Sequence, residues 1–154
     1  MGEVDHGLTH VALTVRDLDR SVAFYGRFAA MQVVHRRHDD ETGDAVAWLS
    51  DLTRPFVVVL IQTAAVSHPL GGYGHLGVGL DSREAVDEAV AAARAAGHEV
   101  LGPLDHGPPV GYWGIIVDPD GHNLEVAHGQ EVGFTVASLG SLGPPGPGAG
   151  TPPA

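Results

Sequence analysis

The chain has 154 residues and 44% hydrophobic content, enough for one domain or two small modules with a sizeable core. It contains no cysteine, which excludes disulfides, thiolate metal sites and a cysteine nucleophile. Its 19 acidic and 8 basic residues give a formal charge of −11, and every base is an arginine, so Schiff-base chemistry is excluded and nucleic-acid binding is disfavoured. The one apolar run of note, residues 56–61, is too short to span a bilayer, and no secretory pattern opens the chain. We therefore expect a cytoplasmic protein with no membrane partner.

Two stretches of the chain share one plan. From His10, and again from His75, a histidine begins an alternating apolar stretch, followed by an aspartate, a helical pattern and a return to extended chain. In the first stretch Asp17 is the expected N-cap of the helix. The buried stripe of that helix is expected to comprise Leu18, Val22, Tyr25 and Phe28.

The second helix is predicted from its own start and stop signals. Asp81 and Glu84 have the spacing of a capping box, alanine-rich sequence follows, and Gly97 is expected to end the helix. Three short extended segments are expected after each helix, near residues 31–36, 45–50 and 55–63, and near residues 98–102, 112–117 and 123–127.

The plan is therefore β-α-β-β-β, repeated once, which predicts an α+β fold of two tandem βαβββ modules. Module 1 is expected at residues 7–66 and module 2 at residues 75–128, with a connection at residues 67–74. The remainder, residues 129–154, is rich in glycine and proline and is expected to be a flexible tail.

Strand alternation gives three polar side chains an unusual position. His10 lies opposite the apolar face of its strand, and so does His75. Glu125 stands between Leu124 and Val126 and faces away from both. An uncompensated buried carboxylate would cost several kcal/mol, and a divalent cation is its natural partner. The sequence thus predicts that His10, His75 and Glu125 bind a metal ion.

The two modules, the openings THVALTVRDLDRSVAFY and YGHLGVGL, and the closing DPDGHNLEV resemble the vicinal oxygen chelate superfamily over about residues 7–128. This group includes glyoxalase I, fosfomycin-resistance enzymes, extradiol dioxygenases, methylmalonyl-CoA epimerases and bleomycin-resistance proteins. The resemblance implies a cup of curved sheets whose first and last strands supply metal ligands, at positions that match His10, His75 and Glu125. It implies a divalent ion (Fe, Mn, Zn, Ni or Co) that binds two neighbouring oxygens of a small-molecule substrate as a Lewis acid. It also implies a homodimer.

Three further residues are candidates for the site. A fourth ligand position, a glutamate in glyoxalase I, is matched by Gln62, which is expected to be a weak oxygen ligand or substrate contact, or else a polar residue of an edge strand. His106 lies in a loop rich in glycine and proline and is a candidate proton-transfer group, against the alternative of an exposed loop histidine. Of Tyr112 and Trp113, one is expected to line the cavity and the other to pack in the core. Strand alternation does not decide which residue has which role. The candidate catalytic residues are Glu125, His106 and Tyr112.

Differences between this sequence and the individual subgroups of the superfamily narrow the choice of reaction. Glyoxalase I needs a second carboxylate that this chain lacks, and epimerases carry a longer turn in place of DPDG. The tyrosine of extradiol dioxygenases would fall at Ile115, and no arginine or lysine follows Glu125 to hold a phosphonate. Lyase, isomerase and dioxygenase chemistry stay open. The alternative function is a bleomycin-resistance-like protein that sequesters a small cationic ligand without catalysis, which the acidity suits.

Overall fold

A computed structural model describes residues 4–140, in which eight strands form two four-stranded sheets. Sheet A contains β1 (His10–Val15), β2 (Gln32–His38), β3 (Ala45–Ser50) and β4 (Val57–Gln62). Sheet B contains β5 (Leu76–Gly79), β6 (Val100–Asp105), β7 (Tyr112–Val117) and β8 (Asn123–His128). The helices are α1 (Leu18–Ala29), α2 (Arg83–Ala95) and α3 (Val132–Ser138). No helix in this part of the chain is long and apolar enough to cross a membrane.

The two sheets have the same topology. Their strand orders are β1-β4-β3-β2 and β5-β8-β7-β6, and in each sheet the first and last strands of the module pair in parallel while the other pairs are antiparallel. The predicted α+β fold of two tandem βαβββ modules is confirmed. One difference lies in the expected tail, where residues 132–138 form α3; residues 141–154 lie outside the described part of the chain.

The helix caps follow the sequence in one module and differ by one residue in the other. Asp17 caps α1, since its side chain accepts a hydrogen bond from the Arg20 amide. The prediction that Asp81 caps α2 is wrong: Ser82 has the extended backbone of an N-cap residue, and its hydroxyl accepts from the Ala85 amide at 3.1 Å. The predicted buried stripe of α1 is correct for Leu18, Tyr25 and Phe28, whereas Val22 is only half-buried. The prediction did not include Phe24, which is buried. The buried residues of α1 are Leu18, Ser21, Phe24, Tyr25, Phe28 and Ala29.

The helices cover one face of each sheet and leave the other uncovered. Helix α1 packs on sheet A and α2 on sheet B, and a continuous apolar cluster joins the two modules. We call the face of sheet A that carries His10 and Ala12 the open face of sheet A. The face that carries Gly77, Gly79 and Glu125 is the open face of sheet B. The metal ligands predicted at His10 and Glu125 therefore lie on these two open faces.

The turn between β7 and β8 joins module 2 to module 1. Asp118 Oδ2 accepts a hydrogen bond from the Tyr25 hydroxyl at 2.9 Å, and both residues are buried. Asp118 Oδ1 accepts from the amides of Asp120 and His122. Asp120 in turn accepts from Arg16 Nε at 2.8 Å. Burial foremost, and then the charge of Asp118, raises the pKa of Tyr25, so its hydroxyl stays a donor.

His122 strengthens the same junction. It lies in the turn before β8 and is only 1% exposed. Its Nδ1 accepts from the Leu70 amide at 2.9 Å, so in the neutral ring Nε2 carries the proton and donates to the Thr14 carbonyl at 2.8 Å. The DPDGH segment is thus a structural element that holds the two modules together.

Candidate functional site

His75 and Glu125 lie together on the open face of sheet B. Glu125 Oε2 is 3.5 Å from His75 Nε2, and Glu125 is 8% exposed. Gly77 pairs with Glu125 across the β5–β8 ladder, and a Cβ at this glycine would lie 4.0 Å from Oε1. The small residue therefore leaves space in front of the carboxylate.

In its neutral form His75 has no proton on Nε2, the ring nitrogen that faces Glu125. His75 Nδ1 lies 2.8 Å from the Tyr73 carbonyl oxygen. A carbonyl only accepts, so Nδ1 carries the proton of the neutral ring and Nε2 presents a lone pair to the Glu125 carboxylate. Two acceptors then face each other, and no arginine forms an ion pair with Glu125 in residues 4–140. A cation between them would satisfy both, so this donor set fits a divalent metal ion.

Gln130 holds the other oxygen of the same carboxylate. Its Nε2 donates to Glu125 Oε1 at 2.6 Å, which leaves Oε2 directed to His75. The backbone around Gln130 is fixed, since the Glu131 amide donates to the Pro109 carbonyl at 3.0 Å. Gly111 has φ +87° and lies against the end of β8, where a Cβ would be 2.5 Å from the backbone oxygen of His128. Only glycine fits at this position.

The sequence reasoning missed Gln130 because it counted the residue as part of the tail. A signal was available in the amide side chain five residues after the inward-facing Glu125. A strand that ends with a carboxylate on its open face needs a donor to hold that carboxylate, and Gln130 is the first uncharged amide side chain after β8.

His10 lies on the open face of sheet A, in a cavity of about 580 Å³ whose lining excludes His75 and Glu125. Its Nδ1 is 2.9 Å from Thr9 Oγ1. Within residues 4–140, no three His, Cys, Asp or Glu side chains form a group that could hold a metal ion. A single chain therefore brings together two of the three predicted ligands, and His10 belongs to a separate surface.

Gln62 does not share a face with His10. In the β1–β4 register Gln62 lies opposite buried Val15, whereas Val57 lies opposite His10. The side chain of Gln62 accepts a hydrogen bond from the Leu18 amide at 2.9 Å and so caps the first turn of α1. Gln62 is thus on the helix side of sheet A, because strand alternation places it with the core residues of β4.

Tyr112 also lies on the helix side, and Trp113 lies on the open face of sheet B. The Tyr112 hydroxyl donates to Asp87 of α2 at 2.5 Å, which raises the pKa of Tyr112, and the Arg83 guanidinium lies 4.0 Å from the Tyr112 ring centroid. Trp113 pairs with Ala127 of β8 in the sheet. Of the two aromatic residues, Tyr112 is therefore the packing residue.

His106 lies at the end of β6, where its Nδ1 accepts a hydrogen bond from Trp113 Nε1 at 2.9 Å. Strand β6 is separated from β8 by two strand spacings, about 10 Å, so His106 does not touch Glu125 in the same chain. It is exposed and positioned by Trp113, beside the open face of sheet B.

Comparison with known proteins identifies the family of this chain. Residues 7–126 match the model of the Glyoxalase/Bleomycin resistance protein/Dioxygenase superfamily. The chain belongs to this superfamily. Among curated relatives, an uncharacterized protein of Pseudomonas aeruginosa is 38% identical over 129 residues, covering 82% of this chain and 91% of the relative. A lactoylglutathione lyase of Haemophilus influenzae is 30% identical over 122 residues, covering 77% of this chain and 89% of the relative.

Solved structures of the superfamily share the fold. A variant of the fosfomycin resistance protein FosX from Listeria monocytogenes, in complex with Mn(II) and a dihydroxypropylphosphonic acid, has a TM-score of 0.65 at 21% identity and covers 86% of this chain and 99% of its own. The trypanothione-dependent glyoxalase I of Leishmania major has a TM-score of 0.65 at 24% identity and covers 88% of this chain and 94% of its own. At these identities the likeness concerns the fold.

Proposed function

We propose that this superfamily member is a divalent-metal-dependent enzyme acting on a small substrate that is chelated through two neighbouring oxygens. The observation that carries the proposal is the pair on the open face of sheet B. His75 Nε2 faces the carboxylate of nearly buried Glu125 at 3.5 Å, and Gly77 leaves space beside them. The Mn(II) complex of FosX supports metal use in this fold.

The third ligand, His10, would come from a second copy of the chain. His10 lies on an open face that α1 does not cover, and in one chain it does not join His75 and Glu125. A homodimer in which the open face of sheet A meets the open face of sheet B of the other copy would bring the three together twice. Exposed apolar side chains on the open face of sheet A, such as Trp48 and Val34, favour such a contact.

Each protein group has a separate task in this proposal. His10, His75 and Glu125 would hold the ion, which supplies a Lewis acid when bound. Gln130 keeps Glu125 Oε1 occupied, so that Oε2 faces the site, and the Tyr73 carbonyl keeps the His75 proton on the outer nitrogen. A three-ligand set leaves positions for two substrate oxygens.

The open face of β4 offers no fourth ligand. The side chains there are Val57, Val59 and Ile61. The second carboxylate that the resemblance to glyoxalase I requires is therefore missing, although several relatives carry the name lactoylglutathione lyase. We infer that the reaction is a metal-dependent lyase, isomerase or dioxygenase step that needs no second carboxylate as base.

Metal binding by purified protein without a histidine tag tests the proposal. Wild type and the variants Glu125→Ala, His10→Ala and His38→Ala are reconstituted with Mn, Fe, Co, Ni or Zn, and the retained metal is measured by mass spectrometry. His38 is an exposed histidine of β2 and serves as the matched control. We expect about one ion per chain in wild type and His38→Ala, and loss in the other two. Equal retention in His10→Ala and His38→Ala would contradict the assigned ligand set.

The alternative is a binding protein that sequesters a small cationic ligand. It is kept because one chain assembles only two of the three ligands within the described residues. Wild type that retains no metal but takes up a cationic antibiotic tightly would favour this function.

A further inference from the structure

We propose that the cavity on the open face of sheet A binds a substrate with an apolar, planar body and a carboxylate, and that Arg54 is the charge partner of that carboxylate. The proposal rests on the proposed function in one respect, since it assigns the substrate class of the site to which His10 belongs.

The floor of the cavity is apolar and includes a partly exposed tryptophan. Trp48 is 38% exposed, and its ring packs against His35 with 4.9 Å between ring centroids. Around it the strands contribute Ala12, Val57, Val59 and Ile61. The volume of about 580 Å³ is within the range of small-molecule sites, and an indole held from one side presents a flat surface to a planar ligand.

Two arginines line this cavity with one acidic side chain, Asp5, although the whole chain carries a formal charge of −11. Arg37 is 3.5 Å from Asp39 in an exposed pair, which is a weak interaction. Arg54 forms no ion pair within residues 4–140. Arg54 is thus the arginine of this cavity that no carboxylate in the described residues holds in an ion pair.

The neighbours of Arg54 leave its guanidinium available. Its one side-chain hydrogen bond runs from Nε to Thr53 Oγ1 at 3.4 Å. The adjacent acid, Asp51, forms no ion pair with Arg54, and its Oδ1 accepts from the Thr53 amide and hydroxyl at 2.9 and 2.7 Å. The Thr53 hydroxyl foremost, and also the Arg54 charge, lowers the pKa of the Asp51 carboxyl. A guanidinium can form two parallel hydrogen bonds with a carboxylate, and Arg54 retains donors for both.

The position of Arg54 places this charge near His10. The Phe56 amide bonds the Arg54 carbonyl at 2.8 Å, which makes a tight turn just before β4. The next residue, Val57, lies opposite His10 in the β1–β4 register. A carboxylate bound by Arg54 would therefore lie at the His10 end of the cavity, with the apolar body over Trp48.

Two probes of similar shape and opposite charge test the proposal. Metal-free protein, kept in chelator at low salt, is titrated calorimetrically with 2-naphthoate and with 2-naphthylmethylammonium. We expect naphthoate to bind at least about 10-fold more tightly than the cation. Arg54→Gln should weaken naphthoate about 5- to 30-fold, Arg54→Lys should restore part of that loss, and Trp48→Ala should weaken both probes.

Arg94→Gln is the matched control, because Arg94 lies in the last turn of α2 and does not line the cavity. Equal or tighter binding of the cation, an equal effect of Arg54→Gln and Arg94→Gln, or no binding of either probe at about 5 mM would each overturn the proposal. Because metal is absent from the titration, selective naphthoate binding by a protein that fails to retain metal would support the substrate class and contradict only the metal-dependent function.

Discussion

The two open faces of this molecule belong to modules with the same topology, but they carry different side chains. On sheet B the Tyr73 carbonyl accepts a hydrogen bond from His75, Gln130 donates one to Glu125, and glycine leaves space beside the two side chains. On sheet A a single predicted ligand, His10, borders a wide apolar cavity. The two modules therefore share a topology without sharing the residues of a functional site. In our proposals, one half supplies most of the ligands of an ion and the other holds the body of a substrate.

The largest expected effect separates the ion from the ligand body. Glu125→Gln removes the carboxylate charge on sheet B with little change of shape, so metal affinity should fall by more than about 100-fold. Binding of 2-naphthoate to the cavity on sheet A should not weaken, because the variant removes a negative charge and leaves Arg54 and Trp48 unchanged. Equilibrium competition with a metal indicator and calorimetry measure the two quantities, and a parallel loss of both would show that the faces are not functionally distinct.

A smaller loss of metal affinity is expected from the residue that holds Glu125. Gln130→Ala removes the donor to Oε1 and should lower metal affinity about 10- to 100-fold. Gln130→Glu should fail to rescue, because it replaces the donor with a second carboxylate. Asn123→Ala serves as control, since that amide side chain on β8 bonds the Gly72 carbonyl instead. Metal affinity of Gln130→Ala equal to that of Asn123→Ala would refute the assigned role.

The junction between the modules can be weakened without touching either face. Tyr25→Phe deletes the hydrogen bond to buried Asp118 and should lower the free energy of unfolding by about 1–3 kcal/mol, measured by denaturant titration. The pKa of Tyr25 is raised in the folded state, so its contribution is present below the unfolded pKa and is lost above it. The difference between wild type and Tyr25→Phe should therefore shrink above about pH 10. A difference independent of pH up to unfolding would contradict this assignment.

The smallest effect concerns Gln62. Gln62→Ala removes the acceptor for the Leu18 amide and should cost about 0.5–2 kcal/mol of stability, as the loss of a helix cap does. Metal retention should be unchanged, because the side chain lies on the helix side of sheet A. Loss of metal in a variant that remains folded would restore Gln62 to the ligand set.

Local patterns predicted much of this molecule. Alternation along β1 and β8 put His10 and Glu125 on faces away from the core, and Asp17 marked the start of α1. These features depend on neighbours in the chain, so a sequence displays them. The same alternation placed Gln62 with Leu60, and the structure shows that this is the helix side.

Contacts between separate segments of the chain could not be predicted from these local patterns. Gln130 reaches Glu125 because the Gly111 loop fixes the turn after β8. The cap at Ser82 is local, but it depends on which of two neighbouring residues takes the extended backbone of an N-cap. The separation of His10 from His75 follows from how the two sheets dock through Asp118 and its neighbours, which no periodicity encodes.

Mixed dimers give the most direct test of a site shared between two copies. Chains carrying His10→Ala and Glu125→Ala, with different affinity tags, are refolded together, and the heterodimer is isolated through both tags. If the ligands come from two chains, one of its two sites is intact, and the heterodimer should retain about one ion per dimer while each parent homodimer retains none. A heterodimer as empty as its parents, or a wild type that binds metal as a monomer, would contradict the shared site.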